Sequence, residues 1–274
     1  MLLTSGGIEM RRLGWIWLAA ILVFGIGADS AAVDTQIDVR VLSKGAKFIG
    51  TGVAGAEITI RDAETNELLA RGKTVGNSGN DRRIMAEAWP RHAPLSTTTS
   101  AVFRATLDLE EPRQVVVTAR GPLSQPQSTA VATVTQWLVP GKHVTGGDGL
   151  VLELPGFSVD ILSPPSRWRV PAGQKQIELR ANVMMLCGCP IEPGGFWDAN
   201  AFEVVALIRQ RDRRVGEIKL SYAGEIGQFA GVFMIPGPGP YDITVYAFDP
   251  GNGNTGLDRA TIVVAEAAAS TDED

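Results

Sequence analysis

Pro236-Gly237-Pro238-Gly239-Pro240-Tyr241-Asp242-Ile243-Thr244-Val245-Tyr246-Ala247-Phe248 decides the fold class. A Gly/Pro turn leads into alternation, with Tyr241, Ile243, Val245 and Ala247 falling on one side. Period two over eight residues is the mark of a half-buried strand. The same grammar recurs along the chain. One set of candidate strands covers 36–42, 56–61, 68–71, 101–107, 114–119 and 130–136. A second covers 176–184, 202–208, 217–222, 229–234, 241–248 and 259–265. Turn chemistry separates them at Thr65-Asn66, Gly76-Asn77-Ser78-Gly79, Gly121-Pro122 and Gly251-Asn252-Gly253-Asn254. Short strands without a long 3.6-residue period predict an all-β protein, and 31 Gly with 16 Pro fit it.

Two sets of about six strands predict two tandem immunoglobulin-like β-sandwiches. The first is expected over 33–140 and the second over 172–266. A connector over 141–171 separates them, with one shared or closing strand near 150–162 interrupted by Pro155-Gly156. Residues 267–274 read as an acidic, disordered tail. Residues 1–32 read as a signal segment: Arg11-Arg12, an apolar run over 13–27, then Ala28, Ser30, Ala31 and Ala32. Met10 would make the cleaner start. The run falls short of the roughly 20 residues a spanning helix needs. The reading is therefore a periplasmic or secreted protein with no stable membrane insertion after cleavage. A net charge of -5 argues against nucleic acid.

Val53-Ala54-Gly55-Ala56-Glu57-Ile58-Thr59-Ile60-Arg61-Asp62-Ala63, followed by Leu69-Ala70-Arg71-Gly72, resembles a transthyretin-like or carboxypeptidase-regulatory-like module. The stretch 239–258 resembles the last hairpin of bacterial immunoglobulin-like domains. That second resemblance makes Tyr241 the corner tyrosine and puts Ile243 where antibody-type domains carry their second cysteine. Both resemblances imply binding, adhesive or structural modules rather than enzymes.

The densest chemistry is Met184-Met185-Leu186-Cys187-Gly188-Cys189-Pro190, which holds both cysteines and two of the six methionines. Continued extension would put Met185, Cys187 and Cys189 on one face, with the cysteine Cα atoms about 6.6 Å apart. That is the upper limit for a disulfide, so oxidation requires a bend, and Gly188 permits one. Three readings stay open: a local disulfide; a Cu(I) site with Cys187 and Cys189 as thiolates and Met184 or Met185 as thioether; or inert thiols. A dithiol oxidoreductase lacks the helix N-terminus that lowers a thiol pKa. Phe196 and Trp197 follow directly, as a lid, a recognition patch or sandwich filling. His92 and His143 read as loop histidines. Asp249, Asn252, Asn254 and Asp258 offer oxygen ligands for calcium, but serve a hairpin turn equally well. Asp108, Glu110 and Glu111 read as a solvated turn, and Arg209, Arg211, Arg213 and Arg214 as a hairpin tip. No metalloprotease, nucleophile-elbow or phosphate-loop motif occurs. The resulting expectation is an exported, non-catalytic binding or accessory protein with a partner in the cell envelope. It needs no cofactor, with Cu(I) handling as the alternative.

Overall fold

The computed structural model describes residues 31–88, 90 and 92–267. The signal segment read over 1–32 lies outside these residues except for its last two, and so does nearly all of the acidic tail. Sixteen strands occur among the described residues. They are β1 (Val33–Ser43), β2 (Glu57–Asp62), β3 (Leu68–Lys73), β4 (Phe103–Leu109), β5 (Arg113–Gly121), β6 (Ala130–Leu138), β7 (Leu150–Leu154) and β8 (Phe157–Ser163). They continue with β9 (Arg169–Val170), β10 (Gln176–Met185), β11 (Glu203–Gln210), β12 (Arg213–Lys219), β13 (Ser221–Tyr222), β14 (Gln228–Met234), β15 (Gly239–Phe248) and β16 (Thr255–Val264). One short helix, α1 (Asp81–Met85), accompanies them.

The strands form four sheets: β4-β1-β7 and β3-β2-β5-β6 from the first half, β8-β10-β14-β13 and β12-β11-β15-β16-β9 from the second. Each half closes on its own core. In the first, Ile37, Val39 and Val41 of β1 meet Ile58, Ile60, Val115 and Val117 from the facing sheet. In the second, Leu179, Ala181 and Val183 of β10 meet Ala206, Ile208, Ile243 and Val245. Facing alternating strands bury one side each, which is the packing logic of a sandwich. The second half has immunoglobulin order: β8-β10-β14-β13 correspond to strands A, B, E and D, and β11-β15-β16 to C, F and G.

Segment 141–171 holds three strands. β7 runs parallel to β1 and closes the first sandwich. β8 pairs with β10, and β9 runs parallel to β16, so the chain enters both sheets of the second sandwich before residue 172. The crossing between those sheets includes the cis Ser163-Pro164 bond. The strand expected over 217–222 is two strands in different sheets. Buried Leu220 marks the switch, its N–H donating to the Val204 carbonyl at 2.8 Å.

Tyr241 takes the corner position. It is fully buried, its hydroxyl donates to the Gly237 carbonyl at 2.7 Å, and its ring meets Phe233 edge-on. The Gly/Pro turn is thereby tied to the start of β15.

The outer face of β1 is covered by the long connection 74–102 between β3 and β4. Arg40 Nη1 donates to the carbonyls of Ser100 and Ala101, both at 2.9 Å. Arg104 holds Asp38 through Nε and Nη2 at 2.6 and 2.7 Å. Asp148 accepts from the Leu95 and Ser96 N–H groups at 2.8 Å. Burial pulls the Arg40 pKa down, and Asp148 and Asp38 oppose that pull.

Two outcomes follow. Tyr241→Phe removes one buried hydrogen bond and should cost about 1 kcal/mol, read as a lower urea midpoint at unchanged slope. Asp160 on β8 has its carboxyl pushed up by burial and then by Asp258. A raised acid contributes stability below its unfolded pKa and loses it as pH rises through the folded one. Asp160→Asn should therefore raise the melting temperature at neutral pH, and the gain should vanish below the usual carboxylate range.

Candidate functional site

β10 does not continue through the sulfur cluster. It ends at Met185, and the chain turns, with the Gly188 N–H donating to the Met185 carbonyl at 2.8 Å. Gly188 sits at φ 76°, and a Cβ there would lie 2.7 Å from Val53 Cγ1. Only glycine meets both demands. The bend brings the cysteine Cα atoms to 5.4 Å, and Cys187 and Cys189 are disulfide-bonded. The single-face expectation for Met185, Cys187 and Cys189 thus gives way to a turn. These three still reach the second core, while the intervening Leu186 enters the first. Met184 and Met185 border an open cleft of about 340 Å³ beside Gly188, shared with Val53, Pro122 and Gln125 of the first sandwich.

Trp197 is 4% exposed and belongs to the second core together with Cys187 and Cys189, so it is no exposed recognition patch. Its indole N–H donates to the Gly45 carbonyl of the first sandwich at 3.0 Å. The Lys47 ammonium lies 6.0 Å from its ring centroid and pairs with Asp81 at the start of α1. Ala46, between them, is buried in the second core, and Met85 of α1 packs against it. Phe196, the other aromatic of the expected interaction loop, is half exposed and touches Trp197 edge-on. Asp198 shapes this loop by accepting from the Asn200 and Gly194 N–H groups, which hold its carboxyl below the usual range.

The loop read as turn or calcium ligands completes the joint. Asn254 is fully buried. Its Nδ2 donates to the Lys44 carbonyl at 2.8 Å, and its Oδ1 accepts from the Gly156 N–H at 3.2 Å. Lys44 Nζ returns a bond to the Asn252 carbonyl at 2.8 Å. Asp249 Oδ1 accepts from the Gly251 N–H, and Asp258 from the Ile161 N–H. At least one side-chain oxygen of each of Asp249, Asn252, Asn254 and Asp258 accepts from a backbone N–H. No group of three or more His, Cys, Asp or Glu able to hold a metal occurs among the described residues.

The remaining candidates lie elsewhere. His143 Nδ1 accepts from the Gln36 N–H of β1 at 3.1 Å, and His92 is exposed on the 74–102 connection. At the β11–β12 tip, Arg209 donates to the Asp212 carbonyl and Arg214 pairs with Glu217. A second cleft, of about 460 Å³, lies between Gln127 and Thr129 and the face carrying Leu207 and Tyr246.

Sequence reasoning missed Lys44, Gly45, Ala46 and Asn254 as members of one structure. The single local signal was a tryptophan in a Gly/Pro loop, whose N–H needs an acceptor once buried.

The strand order, the parallel pairings of β1 with β7 and of β9 with β16, and the tyrosine corner define an all-β protein of tandem immunoglobulin-like sandwiches. No family model matches the chain, and no curated protein matches it. Among solved structures, the Clostridium thermocellum CbhA fibronectin(III)-like modules are 13% identical, covering 86% of this chain and 88% of that one, at a TM-score of 0.29. A titin structure is 8% identical over 86% and 91%, at 0.22. An engineered protein is 19% identical over 47% of this chain, at 0.31, and the match spans 24% of its length. All three scores are low, and the fold assignment rests on topology instead.

Asn254→Ala leaves a buried donor and a buried acceptor unpaired, and should cost about 1–3 kcal/mol. Chemical denaturation of wild type and variant measures it. Trp197→Phe, which loses the bond to Gly45 while keeping most of the packing, should cost less.

Proposed function

We propose that this chain is an exported, non-catalytic binding or accessory protein whose two sandwiches act as one rigid support for a protein partner in the cell envelope. The observation that carries this reading is the joint, where each sandwich buries a side chain in the other's core and Asn254 ties both to the link between them. Such a joint keeps surfaces on the two sandwiches in fixed relation, which lowers the ordering cost of binding across both. Export is supported by Arg11-Arg12 and the apolar run behind them, and by the disulfide, which suits an oxidising compartment. No helix among the described residues is long and apolar enough to cross a membrane.

The test is expression from the full sequence, cell fractionation and mass spectrometry. The expected product is an envelope or medium species lacking residues 1–32, with no free thiol. A cytoplasmic product carrying two free thiols would refute export.

One observation favours a second reading. Met184 and Met185 border the same cleft as the disulfide turn, so reduction would set two thiols near two thioethers. Titration of reduced protein with Cu(I) against a competing chelator decides it. Tight binding lost in the Cys187→Ser/Cys189→Ser variant would support copper handling, and equal behaviour of the two proteins would end it.

A further inference from the structure

An outer strand presents a row of unpaired N–H and C=O groups, and proteins blunt it with charge, proline, a bulge or brevity. The outer strands here are blunted with one exception. β3 carries Arg71 and Lys73 and a register shift against β2. β12 carries four charged residues and a shift against β11. β4 carries Arg104 and Asp108, β7 carries Glu153, and β8 carries Asp160. β9 and β13 have two residues each.

β6 is the exception. Its nine residues, Ala130-Val131-Ala132-Thr133-Val134-Thr135-Gln136-Trp137-Leu138, contain no charge, no proline and no glycine. Its register with β5 runs from Leu138 against Arg113 to Ala130 against Gly121 without a shift. β6 ends its sheet, so no strand is hydrogen-bonded along its far edge, although β7 of the facing sheet packs close to it. The outward face carries Val131 and Trp137 at 57% and 56% exposure, too much apolar surface for a finished edge.

We propose that β6 pairs with β6 of a second copy of this chain, antiparallel, joining two four-stranded sheets into one of eight strands. A two-fold axis perpendicular to the sheet requires opposed residues to share a face, so their numbers sum to an even value. Full overlap of all nine residues then places the axis at Val134. That register sets Val131 opposite Trp137 of the second copy, and Thr133 opposite its Thr135. Aromatic against β-branched and threonine against threonine are both favourable cross-strand pairs. The strand is thus complementary to itself. No like charges meet, because the nearest, Arg113 and Arg120, stand one strand further in, and Arg113 is engaged by Asp62 at 3.3 Å. A contact about 30 Å long, with two large side chains per copy, falls short of the roughly 800 Å² per partner of a standard interface. The dimer should therefore be reversible with concentration.

Sedimentation of the full mature chain over roughly a hundredfold concentration range tests this. The average mass should climb from monomer towards dimer. Thr133 and Thr135 are both exposed, and of their side chains only the Thr133 hydroxyl is seen bonded, to that of Thr118 at 3.1 Å, a surface contact; circular dichroism verifies that each variant keeps the fold. Thr133→Lys/Thr135→Lys sets like charges opposite each other and should give monomer throughout. Thr133→Lys/Thr135→Glu sets unlike charges opposite each other and should keep the dimer. A wild type that stays monomeric overturns the proposal. So does a dimer that survives the double-lysine variant, or equal dissociation of both variants.

Discussion

The Asn254 side-chain amide is the constraint on which the arrangement of the two sandwiches rests. It is fully buried, and from the second sandwich it bonds the Lys44 carbonyl after β1 of the first and the Gly156 N–H of the link between β7 and β8. A buried amide satisfied on both atoms fixes direction as well as distance. The apolar exchange around it, Ala46 into one core and Leu186 into the other, supplies the burial. The amide supplies the register.

The strands were legible because each shows water one face and hides the other, so composition alternates where structure does. The tyrosine corner was legible for a related reason: Tyr241 opens its strand directly behind a Gly/Pro turn. The joint was not legible. Its members come from 44–47, 186–197 and 249–254, and no local pattern links them. Asn252 and Asn254 look alike in sequence, yet the Asn252 side chain caps the turn while Asn254 points into the boundary. The sulfur cluster was half legible. Gly188 announced a bend, but the reason only glycine serves there is Val53, more than a hundred residues earlier.

The first sandwich departs from a simple module at its β4-β1-β7 sheet. Asp38 and Arg40 alternate with the core residues of β1 and would face water on a bare sheet. Connection 74–102 covers them, and Arg40, Arg104 and Asp148 bind or border its backbone. Charge is used here to fasten a long connection that has little secondary structure of its own. Arg40 Nε remains without a hydrogen-bond partner. The sheet is thus covered on both faces, although one cover is polar.

The bond from Asn254 to Lys44 spans 210 residues of chain. Contacts so distant in sequence slow folding, because loop-closure entropy opposes them until they are made. The first sandwich has its own core, but its 44–47 turn takes partners from Trp197 and from the hairpin after β15 as well. The boundary between the sandwiches therefore draws on both ends of the chain, and its contacts add to the non-local share that slows folding.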